Sequence, residues 1–416
     1  MLDIAATCLV ITALLAYLNH RFIRLPTTIG VMVIALVLSL GIVMLDALGL
    51  DHGLRQYEES FVRSIDFSDV LMQGMLSLLL FAGALHVDIS ELKAYRWQVG
   101  VLALVGTLAS TLVVGFGMYF VLPWVGIKLP LLQCLLFGAL ISPTDPIAVM
   151  GILKSAGAPK NLELVVAGES LFNDGIGVVI FVLILGMVTS GSAPTAGVAF
   201  ELLAREAGGG VVFGLVLGYI TYRMLKSVDQ YQVEVLLTLA AVLGGYALAS
   251  HLHISGPLAM VVTGLMIGNR GRALAMSDTT RRYIDMFWEL LDEILNAVLF
   301  VLIGMEVLLI AFTAPLLVGG VAAVAVTLLA RWLTVGVPVG ALGSFFRLPA
   351  GSSRVLTWGG LRGGISVALA LSLPAGQERD TILALTYCTV VFSILVQGLT
   401  IGRVIKQTIA TGSAGK

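Results

Sequence analysis

Long apolar runs separated by short polar segments dominate this chain. An α-helix needs about 20 mostly apolar residues to cross a bilayer, and a window of that length finds thirteen candidate spans. They are residues 2–19, 27–49, 70–87, 98–123, 129–153, 162–189, 206–222, 232–251, 254–269, 286–310, 315–341, 353–373 and 381–402. The pattern predicts an all-α polytopic membrane protein that forms one unit over 1–416.

The composition agrees with this class. Of the 416 residues, 58% are hydrophobic and 12% are charged, whereas a soluble domain carries about 25% charged residues. The 24 basic and 25 acidic residues nearly balance, so there is no surplus positive charge to bind a polyanion. Cys8, Cys134 and Cys388 lie in apolar stretches and are interpreted as core residues, not as a disulfide framework or metal site. A water-soluble enzyme, a nucleic-acid binder and a disordered protein are therefore excluded.

The Lys and Arg residues predict the direction of the spans. Arg21 and Arg24 follow the first apolar run, whereas a secretory signal carries its positive charge before the run, so we expect a retained first helix. If the N-terminus lies outside, most basic residues fall in inner segments, as the positive-inside rule requires. The outer segments then hold only Arg55, Arg63, Lys128, Arg205 and Arg379. We expect a cytoplasmic C-terminus and a location in the bacterial inner membrane.

Two prolines flank an aspartate in the fifth span, where Pro143, Thr144, Asp145 and Pro146 follow one another. Each proline removes a backbone donor and clashes with the preceding turn, so the helix is predicted to break here. The break frees carbonyl and hydroxyl oxygens beside a carboxylate, and such oxygens are ligands for a hard cation. The alternative is a structural kink with a hydrogen-bonded aspartate.

The sixth span carries two polar pairs at helical spacing. Ser170 and Asp174 share one face, and Glu169 and Asn173 share another about 100° away. We expect Asp174 and Ser170 to face an ion, while Glu169 and Asn173 face another helix. The alternative is an interhelical hydrogen-bond network throughout.

Two arginines lie within later spans. Arg331 is near the middle of the eleventh span, and because guanidinium stays charged it needs a carboxylate partner, for which Glu169 and Asp174 are the leading candidates. Arg362 lies in the twelfth span among four glycines within 359–364. Glycine disfavours a continuous helix, so we predict a second break.

The two broken spans are numbers five and twelve. If spans one to six and eight to thirteen are inverted repeats, the two breaks are counterparts that run in opposite directions. Paired interrupted helices at matching positions are typical of the midplane site of a secondary transporter. Asp292, Glu293 and Asn296 near the start of the tenth span either line a funnel on the inner side or cap helices, and the sequence leaves both interpretations open.

Together these motifs resemble the monovalent cation/proton antiporters, in particular the NhaP-type sodium/proton exchangers. The resemblance is carried, in chain order, by segments 142–146, 168–174, 300–306 and 359–363. It implies an NhaA-like antiporter fold with about thirteen helices and a homodimer. It further implies a core domain (98–189 and 315–402) that moves against a dimerisation domain (2–87 and 206–310).

The resemblance also implies roles for single residues. Asp174 would bind the ion and the proton, and Asp145, Ser170 and the carbonyl of Thr144 would complete a sodium site. Glu169 and Arg331 match a buried ion pair of the family. Supporting roles fall to Asn173, which is typical of electroneutral members, and to Arg362, which with Asp145 can offset the partial charges of the helix ends. The chain departs from the family at Ala82, where relatives often carry a polar residue, so sodium, lithium and potassium all stay open.

We therefore expect a transporter, not an enzyme, that exchanges Na⁺, and also Li⁺, for H⁺ by alternating access around Asp174, with no cofactor and no nucleic-acid partner. The alternatives are a K⁺/H⁺ antiporter, a sodium-coupled solute symporter and an intramembrane aspartyl protease. The protease interpretation lacks support, because the Gly-x-Gly-Asp and Pro-Ala-Leu segments that such enzymes need are absent from the sequence.

Overall fold

The structure is a computed structural model of the chain. It describes residues 2–48, 75–145, 149–151, 153, 156–190, 197, 201, 204–306 and 313–413. Within these ranges all regular secondary structure is helical, which confirms the predicted all-α class. Pro146, Arg55 and Arg63 lie outside the described residues.

The helices are numbered here in chain order. They are α1 (Leu2–Leu18), α2 (Thr27–Ala47), α3 (Leu76–Leu85), α4 (Ile89–Val125), α5 (Leu131–Ile141), α6 (Lys160–Ser190), α7 (Ala204–Leu225), α8 (Tyr231–His251), α9 (Gly256–Met266), α10 (Asp278–Glu306), α11 (Ala314–Ala341), α12 (Ser352–Trp358), α13 (Gly364–Leu371) and α14 (Gln377–Thr408). Each predicted span contains a helix, and the twelfth span contains two.

The helix lengths agree with a protein that crosses a membrane. In the described part of the chain, 8 helical segments are long and apolar enough to span a bilayer, whereas α3 and α5 are shorter apolar helices. The fifth span is short because it breaks, as the prolines predict. The count of thirteen crossings stays a prediction.

The helices pack in two neighbourhoods. In the first, α9 packs against α3, α7 and α8, and the Phe81 ring of α3 lies 4.6 Å from the Trp288 ring of α10. In the second, α4 packs on α5 and α11, and α6 packs on α5. The largest hydrophobic cluster joins residues of α1, α2 and α10 to the second neighbourhood. The division into a moving core domain and a dimerisation domain therefore stays a prediction.

The two helix breaks meet inside the protein. Helix α5 ends at Ile141, before Pro143, and the hydroxyl of Ser142 donates to the Gly138 carbonyl at 2.6 Å. Residues between α12 and α13 have no helical structure. The backbone N–H of Asp145 donates to the Leu361 carbonyl at 2.8 Å, so a backbone hydrogen bond ties one break to the other. The predicted crossing of two interrupted helices is confirmed.

Candidate ion-binding site

Arg362 caps the carboxyl end of the first broken helix. Its Nη1 donates to the carbonyl of Ser142 at 2.5 Å and to that of Pro143 at 2.9 Å. These carbonyls follow the last helical residue of α5, Ile141, and the end of a helix carries partial negative charge that a cation stabilises. Only 2% of the surface of Arg362 is exposed, so its guanidinium satisfies a helix end inside the protein.

Asp145 lies at the amino end of a helix, α13. Its side chain contacts Gly363, the residue before α13, and a Cβ atom at position 363 would lie 2.4 Å from Asp145 Oδ2. Glycine is therefore required for this approach. Because the amino end of α13 carries partial positive charge, it stabilises an ionised carboxylate. Asp145 and Arg362 thus lie beside helix ends of opposite partial charge.

Glu169 and Arg331 form a buried, bidentate ion pair between α6 and α11. Arg331 Nη1 is 2.5 Å from Glu169 Oε1, and Nη2 is 2.7 Å from Oε2. The two residues are 1% and 6% exposed. Gly360 makes room for the pair, since a Cβ atom there would lie 2.6 Å from Arg331 Nε. Of the two carboxylates that the sequence offered to Arg331, the structure selects Glu169.

Asn173 connects this ion pair to the break in the fifth span. Its Nδ2 donates to Glu169 Oε1 at 3.3 Å and to Thr144 Oγ1 at 2.8 Å. In return, the backbone N–H of Thr144 donates to Asn173 Oδ1 at 3.2 Å. The amide of Asn173 therefore holds the non-helical segment at a fixed position on α6.

The expected separation of α6 into an ion-facing and a helix-facing side is only partly correct. Ser170 Oγ lies 3.0 Å from Thr144 Oγ1, so Thr144 contacts both polar faces of α6. The reason is that the broken segment lies across both faces, which helical periodicity separates by about 100°. In this structure the hydroxyls of Ser170 and Thr144 bond to each other.

A cavity of about 90 Å³ adjoins the crossing of the two breaks. Its polar lining consists of Asp145, Asp174, Asp292, Asn296 and Ser366. This volume is enough for a small ion with a few water molecules. Two of the four predicted sodium ligands, Asp145 and Asp174, line this cavity. Thr144 and Ser170 lie outside the lining and are almost fully buried.

Sequence reasoning did not assign Asp292 and Asn296 to the site. They lie four residues apart on α10, so they share a face, and Leu299 continues that face into the same cavity. The spacing matches that of Ser170 and Asp174 and was the available signal. What the sequence did not contain was that α10 and α6 line the same cavity.

The third span contributes an apolar wall. Leu76, Leu79, Leu80 and Gly83 line the cavity, whereas Ala82 is buried in the neighbouring hydrophobic cluster around Trp288. Helix periodicity separates positions 82 and 83 by about 100°. At the end of this wall it is therefore Gly83, and not Ala82, that lines the cavity.

The arrangement favours binding of a cation or a proton. Neither Asp174 nor Asp292 forms an ion pair with a Lys or Arg within the described ranges. Arg331 is engaged by Glu169, and Arg362 by backbone carbonyls. A buried carboxylate must be neutralised, either by a proton or by a bound cation, and a site that accepts either can exchange one for the other.

Comparisons with known proteins agree with this geometry. Residues 10–407 match the family model described as sodium/hydrogen exchanger, transmembrane. The chain is 56% identical over 415 residues to the Na⁺/H⁺ antiporter NhaP of Pseudomonas aeruginosa, which covers 99% of this chain and 97% of that protein. The chain belongs to the sodium/hydrogen exchanger family. It is an integral membrane protein.

Further relatives lie at greater distance. Over 394 residues the exchanger is 36% identical to the Na⁺/H⁺ antiporter NhaH of Halobacillus dabanensis, with 93% of each chain covered. Among solved structures, the sodium proton antiporter MjNhaP1 from Methanocaldococcus jannaschii at pH 8 superposes with a TM-score of 0.74 over 97% of both chains, at 21% identity. This likeness shows that the exchanger shares the antiporter fold.

Breaking the ion pair is expected to destabilise the exchanger. Removal of one partner of a buried pair costs about 3–5 kcal/mol, since the other charge is left alone. Glu169→Gln and Arg331→Ala should each lower the melting temperature of the purified protein. The double variant should lose less than the sum of the two, because the second change removes the stranded charge. Fully additive losses would contradict the pairing.

Proposed function

We propose that the protein exchanges Na⁺, and also Li⁺, for H⁺ across the bacterial inner membrane. The observation that carries the proposal is a single cavity at the crossing of two broken helices, lined by the carboxylates of Asp174 and Asp145. The names of its relatives support sodium as the cation, since NhaP and NhaH are both Na⁺/H⁺ antiporters.

In this mechanism the cation and the proton compete for Asp174. The carboxylate binds the cation when it is deprotonated, and it returns protonated when the cation has left. Asp145 stays ionised because the amino end of α13 lies beside it. Glu169 stays ionised because Arg331 binds both of its oxygens. A single group therefore changes its occupant in each cycle.

The sodium ligands are Asp174, Asp145, Ser170 and the carbonyl of Thr144. The hydroxyl contact between Ser170 and Thr144 must open for Ser170 to reach the cation. Such an adjustment is small, because both residues adjoin cavity-lining neighbours on α6 and at the break. Hard oxygen ligands of this kind suit a small monovalent cation better than sulfur or nitrogen ligands would.

Alternating access requires that two groups of helices move relative to each other. The domain that contains 98–189 and 315–402 carries the crossed breaks and moves against the domain that contains 2–87 and 206–310, which forms the homodimer. The N-terminus lies outside and the C-terminus in the cytoplasm, as the distribution of Lys and Arg favours. Each movement exposes the cavity to one side of the membrane at a time.

The decisive experiment measures cation-induced proton movement in proteoliposomes that contain the purified protein. Na⁺, Li⁺ and K⁺ are compared at equal concentration. Proton flux driven by Na⁺ and Li⁺ is expected. Flux driven by K⁺ alone would identify the protein as a K⁺/H⁺ antiporter. If none of the three cations drives proton flux, the proposal is contradicted.

Asp174→Asn is expected to abolish exchange while the protein stays folded. The amide keeps the size of the side chain but neither releases a proton nor carries a full negative charge. Proton flux in proteoliposomes and the melting temperature in detergent are measured on the same preparation. Substantial Na⁺-driven flux in a folded Asp174→Asn variant would show that another residue carries the proton.

Exchange is expected to be electroneutral. Asn173 cannot ionise, and Glu169 is held by Arg331, so one proton leaves for each cation that binds. The equilibrium pH gradient across proteoliposomes should be the same with an imposed and with a collapsed membrane potential. If one charge moved per cycle, about 100 mV would shift the balance by about 2.3 kcal/mol. A potential-dependent end point would mean that a second carboxylate titrates.

A further inference from the structure

We propose that Asp292 is a cation-binding residue of this exchanger, which contacts the transported ion from α10 while Asp174 contacts it from α6. The proposal rests on the function proposed above and extends the site to a helix outside the crossed breaks. Asp292 is a specificity- and affinity-determining residue in this arrangement, whereas Asp174 remains the group that exchanges the proton.

The first support is the shared cavity. Asp292, Asp174 and Asp145 line the same space of about 90 Å³, and a volume of that size leaves room for only a few atoms between the side chains. Asn296, one helical turn after Asp292, adds an amide to the same wall. The amide Nδ2 of Asn296 donates to the Asp292 carbonyl at 2.8 Å, so its oxygen remains available as a further ligand.

The position of Asp292 argues against a purely structural role. It lies in the middle of α10 (Asp278–Glu306), where an acid stabilises neither end of the helix. It is half-buried, whereas the adjacent Glu293 is exposed. Arg272 forms an ion pair with Asp285 of the same helix, and not with Asp292. A half-buried acid with no basic partner among the described residues is neutralised by a proton or by a bound cation, and Asp292 lines the cavity in which a cation can bind.

The α3 wall of the cavity offers no charged group that could bind the cation. The surface from α3 is apolar, formed by Leu76, Leu79, Leu80 and Gly83. Of the carboxylates that line the cavity, Asp145 lies at the break and Asp174 on α6, so Asp292 is the one that α10 contributes. A cation between Asp174 and Asp292 bridges α6 and α10, which belong to the two groups of helices proposed to move against each other. Loss of Asp292 should weaken binding without removing the proton-exchanging group.

The test compares Asp292→Asn with Glu293→Gln in proteoliposomes. Both changes remove one acid from neighbouring positions of α10, but only Asp292 lines the cavity. Since the change removes one charged ligand of the cation, Asp292→Asn should raise the KM for Na⁺ about tenfold or more, which corresponds to about 1.4 kcal/mol. The maximal rate should fall much less. Glu293→Gln should leave both constants unchanged.

A second measurement does not depend on transport. The melting temperature of the purified protein is followed as Na⁺ replaces choline, because a bound ligand stabilises the folded state. The stabilisation should require higher Na⁺ in Asp292→Asn than in the unchanged protein. Asp292→Glu keeps a carboxylate on this wall and should bind Na⁺ more tightly than Asp292→Asn does, which also covers the case that the amide variant folds poorly.

The outcomes separate this inference from the proposed function. If the unchanged protein shows no cation-driven proton flux, the proposed function fails. If it exchanges Na⁺ for H⁺ and Asp292→Asn has the same KM, the inference on Asp292 is overturned and the function stands. If Glu293→Gln raises the KM as much as Asp292→Asn does, the effect comes from the negative charge of this part of α10 and not from a ligand contact. If Asp292→Glu loses as much Na⁺ affinity as Asp292→Asn, the effect comes from the size of the side chain and not from its charge. Either result would overturn the proposal.

Discussion

The crossing of the two helix breaks is the interaction on which the site depends. A broken helix exposes carbonyls at one end and N–H groups at the other, and in hydrocarbon each unsatisfied group costs several kcal/mol. Arg362 binds the carbonyls of Ser142 and Pro143, and the carboxylate of Asp145 lies at the amino end of α13. The hydrogen bond from Asp145 to Leu361 then ties the breaks together. Irregular backbone is tolerated inside the protein because its charges and hydrogen bonds are satisfied there.

The Glu169–Arg331 pair extends this arrangement to two further helices, α6 and α11. Asn173 bonds to Glu169 and also to Thr144. Its side-chain amide therefore connects the broken segment to the buried ion pair. The pair adds no ligand to the cavity. Its contribution is rigidity, because the segment that carries Asp145 is held on α6 at a defined distance from Asp174.

Much of the site could be predicted from the sequence, because the chemistry of a membrane interior leaves few explanations for a buried charge. Asp145, Asp174 and Arg362 stood out as charged residues within apolar spans, and the prolines and glycines marked both breaks. The choice of Glu169 as the partner of Arg331 was left open, since helical spacing places residues on faces but does not say which face meets which helix. Asp292 was left open for the same reason, and Gly83 faces the cavity where Ala82 had been noted.

By itself, the sequence determined the class of the protein, the location of its helices and the types of residue available to an ion. These properties follow from hydropathy and from local backbone chemistry, which act within about 20 residues. Only the tertiary structure decided which polar residues share a cavity. Asp145, Asp174 and Asp292 lie on three segments far apart in the chain, and their meeting depends on how side chains pack between helices. Packing is a property of pairs of helices, and no single span of the sequence contains it.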